Sequence, residues 1–266
     1  MGIFNQNQDE KQAEKRTDKL GSFAAFILLD DVAFDTKAVK QQLKADWGIE
    51  LSGEMAETEN ETLVADIENM TVAISLMPAP IPNNEAVENA KTNFRWPEAV
   101  AVTESHKAHL LVAILGGEQP LWDAAKLFVK VCSSCLQLPH AIAINTLGTV
   151  FAPDFYCKVA LKQLEEDELP VLNLVFFGLY SNDNGTTVSG YTYGMNILGK
   201  QNIEVIDSKN DPNDVFGFLY TITRYVLEND ITLRSGETIG FTPEEKLPIT
   251  LSDSAILEEQ TLKIGF

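Results

Sequence analysis

The chain has 266 residues, 45% of them hydrophobic, and a formal net charge of −19 at pH 7. This length and apolar content suffice for one large folded domain or two of ordinary size. The acidic excess argues against nucleic acid and membranes as partners, because binding to polyanions depends on Lys and Arg side chains. The longest apolar runs have the length of a strand and fall far short of the roughly 20 residues that a membrane-spanning helix requires.

The beginning of the chain predicts no folded element. Residues 1–20 are polar and charged and have no periodic apolar positions, which is typical of a disordered tail. They also lack the basic-then-apolar pattern of a secretory signal. Three cysteines, an odd number, fit a reducing compartment. We therefore expect a cytoplasmic protein.

Residues 21–117 predict a first unit that alternates strands and helices. Apolar runs indicate strands at 23–29, 62–67, 71–77 and 106–115. One predicted helix is capped by Asp35 and ends at Gly48, and the other starts from Asn83 or Asn84 and runs to about Thr92. This order is that of a ferredoxin-like βαββαβ unit, in which one antiparallel sheet carries both helices on the same face.

Residues 118–139 predict an amphipathic helix that Pro139 ends, and the order of elements then begins again. The second unit covers 140–266, with a strand at 141–145 that Val150 and Phe151 prolong, helices at 153–165 and 213–228, and a strand at 231–233. Extended segments follow Gly236. The fold class is thus α+β, with two ferredoxin-like units and antiparallel sheets joined by a helix.

The strongest β signal of the chain lies at 170–195. Residues 171–180 are β-branched and aromatic, residues 181–185 supply turn chemistry, and residues 186–195 return to strand formers. We expect a hairpin at the centre of a sheet.

Several strings together resemble a known family. They are SLMPAPIP at 75–82, WPEA at 96–99, HKAHLLVA at 106–113, GYTYGM at 190–195 and RSGETIGF at 234–241. This set is similar to an uncharacterised bacterial family catalogued only as a domain of unknown function, over nearly everything after residue 22. The resemblance implies no established activity, catalytic residue or cofactor. Small families of this kind sometimes serve as immunity or accessory proteins, which is an analogy only.

The spacing of the cysteines raises the possibilities of redox chemistry and of metal binding. Cys132 and Cys135 form a CxxC near the C-terminal end of a predicted helix, where the helix dipole opposes a thiolate. With His140 and Cys157 they give a C-x2-C-x4-H-x16-C spacing that zinc accepts. A protein with a large core gains little from a structural metal, so we predict core packing, no metal and no cofactor, and leave the convergence of these side chains open.

Five side chains are candidates for binding. Trp96 precedes a proline in a loop, and Tyr191 and Tyr193 share one face of a strand, so these three suit a shallow aromatic pocket. His106 and His109 stand three apart, a spacing that points to opposite faces on a strand. No acid or nucleophile is tied to either histidine by sequence, and we assign no catalytic residue.

Two functions follow from these residues. The first is a non-enzymatic cytoplasmic interaction or binding module, whose acidic surface faces a protein partner or a second copy of the chain, as in a homodimer. The alternative is a small-molecule binding protein or enzyme with a pocket between the two units, which uses the histidines with Tyr191 and Tyr193. An enzyme predicts a histidine that meets a carboxylate or hydroxyl in a pocket, whereas an interaction module predicts histidines that are satisfied singly.

Overall fold

The computed structural model describes residues 22–51, 56–58, 61–91, 93–115, 120–181, 185–242 and 244–266. These residues form thirteen strands in two sheets and seven α-helices. None of the helices in this part of the chain is long and apolar enough to cross a membrane. The predicted tail at 1–20 and most of the predicted hairpin turn lie outside the described residues.

The first sheet has seven strands, and all of its neighbouring pairs are antiparallel. They are β1 (Ser22–Leu29), β2 (Ala56–Thr58), β3 (Thr62–Ile67), β4 (Met70–Met77), β5 (Ala108–Leu115), β6 (Ala141–Thr146) and β7 (Thr149–Phe151). Their order across the sheet is β2-β3-β4-β5-β1-β6-β7. Strands β1, β3, β4 and β5 confirm the four that the apolar runs predict, and β1 lies between β5 and β6.

The helices begin and end close to the predicted positions where the sequence carries a cap. They are α1 (Thr36–Trp47), α2 (Glu85–Ala90), α3 (Ala99–Glu104), α4 (Leu121–Leu136), α5 (Pro153–Glu165), α6 (Val171–Leu174) and α7 (Pro212–Glu228). The Asp35 carboxylate accepts hydrogen bonds from the backbone N–H groups of Lys37 and Ala38, at 2.9 and 3.2 Å. Gly48 ends α1 with a φ of 67°, which a residue without a Cβ adopts without strain.

The second sheet has six strands and is mixed. They are β8 (Phe176–Tyr180), β9 (Val188–Tyr193), β10 (Ile203–Ser208), β11 (Thr238–Ile239), β12 (Leu247–Asp253) and β13 (Gln260–Ile264), in the order β11-β12-β13-β10-β9-β8. Strands β10 and β13 are parallel, and the other neighbours are antiparallel.

The predicted hairpin is confirmed as β8 and β9, but its predicted place at the centre of a sheet is wrong, because β8 is an edge strand. The first residues of the predicted strand form α6 instead, since Pro170 starts a helical turn there and Asn173 donates from Nδ2 to the Tyr156 carbonyl, at 3.0 Å. The predicted strand at 231–233 does not form, and β10, which the sequence reading missed, takes a central place.

The α+β class with antiparallel pairing holds broadly, but the arrangement as two ferredoxin-like units is not confirmed. A ferredoxin-like sheet places the first strand of the unit beside the third, whereas here β5 separates β1 from β4. The helices also lie on both faces of the first sheet. Ile27 of β1 belongs to the main core with α1 and α4, while Leu28 packs on the opposite face with Ala86 of α2. Strands β6 and β7 extend the first sheet rather than starting a second unit.

One continuous apolar cluster runs through both sheets, with Ile27 and Leu110 of the first and Val205 and Leu262 of the second among its members. Helix α4 lies at its centre, in contact with α1, α5, α6 and three strands of the first sheet. Helix α7 covers β8, β9 and β10. The two sheets therefore share a core, and aromatic side chains from the end of β7 and the start of β8 line one cavity.

Candidate functional site

A cavity of about 130 Å³ opens where β7 and the start of β8 approach each other. Its lining comes from four separate parts of the chain: residues 93–96; Phe151, Ala152 and Phe155; Leu172 and residues 175–177; and Phe216. We call this cavity the aromatic cleft. Its only polar side chains among the described residues are those of Asn93 and Arg95, together with the indole N–H of Trp96.

Stacked and edge-on rings form the walls of the aromatic cleft. Phe151, at the end of β7, stacks on Phe155 in the first turn of α5, with 6.0 Å between centroids and 15° between planes. Phe177 of β8 meets Phe216 of α7 edge to face, with 5.5 Å between centroids. Such ring pairs add about 0.5–1.5 kcal/mol each beyond the area they bury. The walls are therefore apolar, and their rings pack against one another.

The rim of the cleft is a turn that Asn93 fixes to the first sheet. Its Nδ2 donates to the Val150 carbonyl, at 2.6 Å, and its Oδ1 accepts from the backbone N–H of Arg95, at 2.9 Å. Both functions of the amide are thus used. The turn holds Phe94, which is 49% exposed, and Arg95 at the mouth of the cleft.

The Arg95 guanidinium lies over the ring of Phe216, with Cζ 3.9 Å from the centroid, and 5.4 Å from the centroid of Phe94. Its pKa is lowered by burial, and no acidic neighbour raises it. No carboxylate stands within ion-pair distance of it in the part of the chain that the structure describes. The mouth of the cleft thus carries one positive charge, that of the Arg95 guanidinium, which lies on the face of the Phe216 ring.

Of the five predicted binding residues, Trp96 is the one that lines the aromatic cleft. Its half-buried ring also packs against two small apolar clusters, one around Leu28 and one around Ala90. Trp96 therefore anchors the rim turn in addition to forming part of the wall.

The two predicted tyrosines lie beside the cleft and do not line it. Tyr191 covers Gly178 on the neighbouring strand, where its ring fills the space that a side chain would need, and it meets Phe176 edge to face at 6.0 Å. Burial raises the pKa of Tyr191. The Tyr193 ring approaches the turn between β6 and β7, with Cε1 3.3 Å from the position that a Cβ of Gly148 would take. Both rings support the cleft from behind.

The two predicted histidines lie outside the cleft and bind backbone groups of α3 and of the segment after β4. His106 accepts the N–H of Ile81 at Nε2, at 2.9 Å, and donates from Nδ1 to the Thr103 carbonyl. His109 donates from Nδ1 to the Ala79 carbonyl, at 2.9 Å, and burial is the main cause that lowers its pKa. Each ring is thus satisfied singly, and together they hold the proline-rich segment in place.

The cysteine cluster packs in the core between α4 and α5. Cys132 and Cys135 are fully buried, and burial raises the pKa of Cys135 to about 12 and that of Cys132 as well. Cys157 donates to the Ser133 carbonyl, at 3.4 Å. His140 pairs instead with Asp30, with 2.9 Å between Nδ1 and Oδ1. Over the described ranges, no three His, Cys, Asp or Glu side chains are placed to hold a metal ion.

Sequence reasoning missed most of the cleft. The string NFRWP at 93–97, two aromatic residues and an arginine around a proline-ended turn, carries a usable signal. The remaining lining residues, such as Phe155 and Phe216, look like ordinary helix residues in sequence. Tertiary packing alone brings these distant segments together.

Comparison with known proteins gives a match of part of the chain to one family model and no activity. No curated protein and no solved structure matches the chain. The strings at 75–82 and 106–113 lie outside the part that a family model covers, while RSGETIGF lies within it. Residues 191–265, which hold the second half of β9, all of β10 to β13 and α7, match the family described as Domain of unknown function (DUF4261), which fits the expected resemblance to an uncharacterised family with no established activity.

Proposed function

We propose that the protein is a non-enzymatic interaction module and that the aromatic cleft receives an apolar side chain of a protein partner. The observation that carries this proposal is the preformed aromatic lining with the exposed Phe94 and the Arg95 guanidinium at its mouth. Aromatic and arginine side chains are the residues that dominate the energetics of protein interfaces.

The volume of the cleft sets the size of its occupant. About 130 Å³ is close to the roughly 150 Å³ of an engineered apolar cavity that binds benzene. The cleft thus has room for one aromatic ring or a large aliphatic side chain. Burying one such side chain contributes about 1.5–3 kcal/mol, so the surrounding rim must contribute further contacts to a stable complex.

The chemistry of the lining favours binding over catalysis. Its charged and amide groups are Arg95 and Asn93, and Asn93 is already bonded to backbone on both sides of its amide. Neither group is a nucleophile or a general base. His106 and His109 lie elsewhere and bind backbone groups, which is the pattern expected of an interaction module.

A small-molecule binding protein remains the alternative function. The cleft lies between the edges of the two sheets and is enclosed enough to hold a single ring, and apolar pockets with few polar groups are typical ligand sites. The two proposed functions differ in what occupies the cleft: a side chain of a second polypeptide or a small molecule, which differ greatly in mass.

Photo-crosslinking tests the proposal. A benzophenone amino acid in place of Phe94, at the rim, should crosslink to a second polypeptide in the native host, and Ala152→Leu, which fills the cleft, should abolish the product. The same probe at Tyr225, an exposed position of α7, is the matched control and should give no such product. Equal yields at both positions, or a product that survives Ala152→Leu, would reject the proposal. A bound small molecule in the native mass spectrum, lost on Ala152→Leu, would support the alternative.

A further inference from the structure

We infer that the partner presents its apolar side chain next to a carboxylate, with the side chain in the aromatic cleft and the carboxylate on Arg95. This inference rests on the proposed function and names the chemistry of the partner: a neutral or basic segment with one Asp or Glu beside an aromatic or large aliphatic residue.

The stacking of Arg95 leaves its hydrogen-bonding capacity unused. A guanidinium has five N–H donors in its plane, and contact with the Phe216 ring at 3.9 Å engages its face. No hydrogen bond from the guanidinium to another described residue is found, since the bond at Arg95 comes from its backbone N–H. The donors are therefore available at the mouth of the cleft. A carboxylate is the group that pairs with two of them at once.

Arg95 has no ion-pair partner among the described residues, although acidic residues outnumber basic ones in the chain by 39 to 20. Its distinguishing feature is therefore its place on the Phe216 ring at the mouth of the cleft. A guanidinium kept on an aromatic face is partly desolvated already, so a carboxylate that reaches it loses less on binding than it would at a fully hydrated lysine.

The net charge limits how acidic the partner can be. At physiological ionic strength the charges of the protein are screened beyond about 8 Å. A single carboxylate at Arg95 thus meets mainly the local positive charge, whereas a run of acids would also be repelled by the net charge of −19. This is why the partner segment has one carboxylate and is otherwise neutral or basic.

Peptide selection tests the inference. Random twelve-residue peptides displayed on phage are selected on the wild type, on Arg95→Gln and on Ala152→Leu, with thermal melting to confirm that each variant is folded. The wild type should enrich an aromatic or large aliphatic residue with Asp or Glu within two positions. Arg95→Gln should keep the apolar residue and lose the acid, and Ala152→Leu should enrich neither.

The best peptide then gives the magnitude by fluorescence anisotropy. Replacing its acid by the matching amide should weaken binding to the wild type about fivefold, as expected for one ion pair at a partly exposed site, and by less than twofold on Arg95→Gln. Arg95→Lys, which keeps the charge but not the planar fork, should retain part of the preference.

The outcomes separate this inference from the proposed function. If the wild type selects apolar residues without an acid, or the acid-to-amide change has no effect, the proposed carboxylate is ruled out. The proposed interaction module still stands in that case, provided that Ala152→Leu abolishes binding of the selected peptides. If peptides bind equally to Ala152→Leu, or none is enriched on the wild type, both ideas are overturned.

Discussion

Replacing Lys263 by methionine should destabilise the protein by about 3 kcal/mol. Glu204 on β10 is fully buried, and its Oε2 lies 2.8 Å from the Lys263 Nζ on the parallel neighbour β13. The Ser254 hydroxyl donates to the other carboxylate oxygen. Removing one partner of a buried ion pair costs about 3–5 kcal/mol because the other charge stays uncompensated. The lower end applies because the Lys263 side chain keeps 17% exposure.

The assay is urea unfolding followed by tryptophan fluorescence, with Lys263→Met, Glu204→Gln, their double variant and Lys44→Met measured beside the wild type. Lys44→Met removes an ion pair to Glu50 in which both side chains are 66% exposed, and it should leave the midpoint unchanged. The double variant Glu204→Gln and Lys263→Met buries no charge, so it should recover at least half of the loss. Normal folding of the single variant is checked by far-ultraviolet circular dichroism.

Two results would refute this reasoning. A loss below about 1 kcal/mol for Lys263→Met would mean that water or another group compensates Glu204. A double variant as unstable as the sum of its two single changes would mean that the two side chains act independently, rather than as one buried pair.

Three further predictions concern other buried groups. Burial lowers the pKa of His109 below its ordinary 6.5, so its neutral form favours folding. The stability of the wild type should fall as pH drops through 6.5 and more steeply than that of His109→Gln in thermal melts across pH 5–8. Ellman's reagent at pH 8 should label Cys157 slowly in the folded protein and leave the two fully buried thiols of α4 untouched until unfolding, since burial raises the pKa of all three; fast reaction of three thiols would contradict the packing. Gly178→Ala should cost about 1–3 kcal/mol by driving a methyl group into the ring of Tyr191, and combining it with Tyr191→Ala should cost less than the sum of the two, as measured in a double-mutant cycle.

Local sequence signals predicted the helices and strands of this fold well where a helix cap or an unbroken apolar run was present. Helix α1 follows its Asp35 cap and its terminal Gly48, and β1 follows an unbroken apolar run. Strand β10 was missed because Glu204 interrupts its apolar pattern. That buried glutamate pairs with Lys263 from a strand some sixty residues away, and a local pattern cannot contain such a pairing.

The sheet order and the candidate site were beyond a local reading for a related reason. The order of elements in the first half of the chain fits a ferredoxin-like unit, but the pairing of β5 with both β1 and β4 is decided by which apolar faces meet across long distances. The aromatic cleft needs residues 93–96, Phe155 and Phe216 in one place. Only the rim turn is indicated by the sequence, through the aromatic residues around Arg95.

The position of β1 in the first sheet has a consequence for how the protein is made. Phe23 pairs with Ile114 and Leu29 with Ala108 on one side, and Leu29 reaches Ala141 on the other. A ribosome that adds about 5–20 residues per second needs about 4–16 s for the roughly 80 residues between Leu29 and its first partner. Throughout that interval an apolar strand with two open edges emerges unpaired, which is the form most prone to association with other chains. A chaperone that meets the nascent chain therefore has most to protect at its first strand.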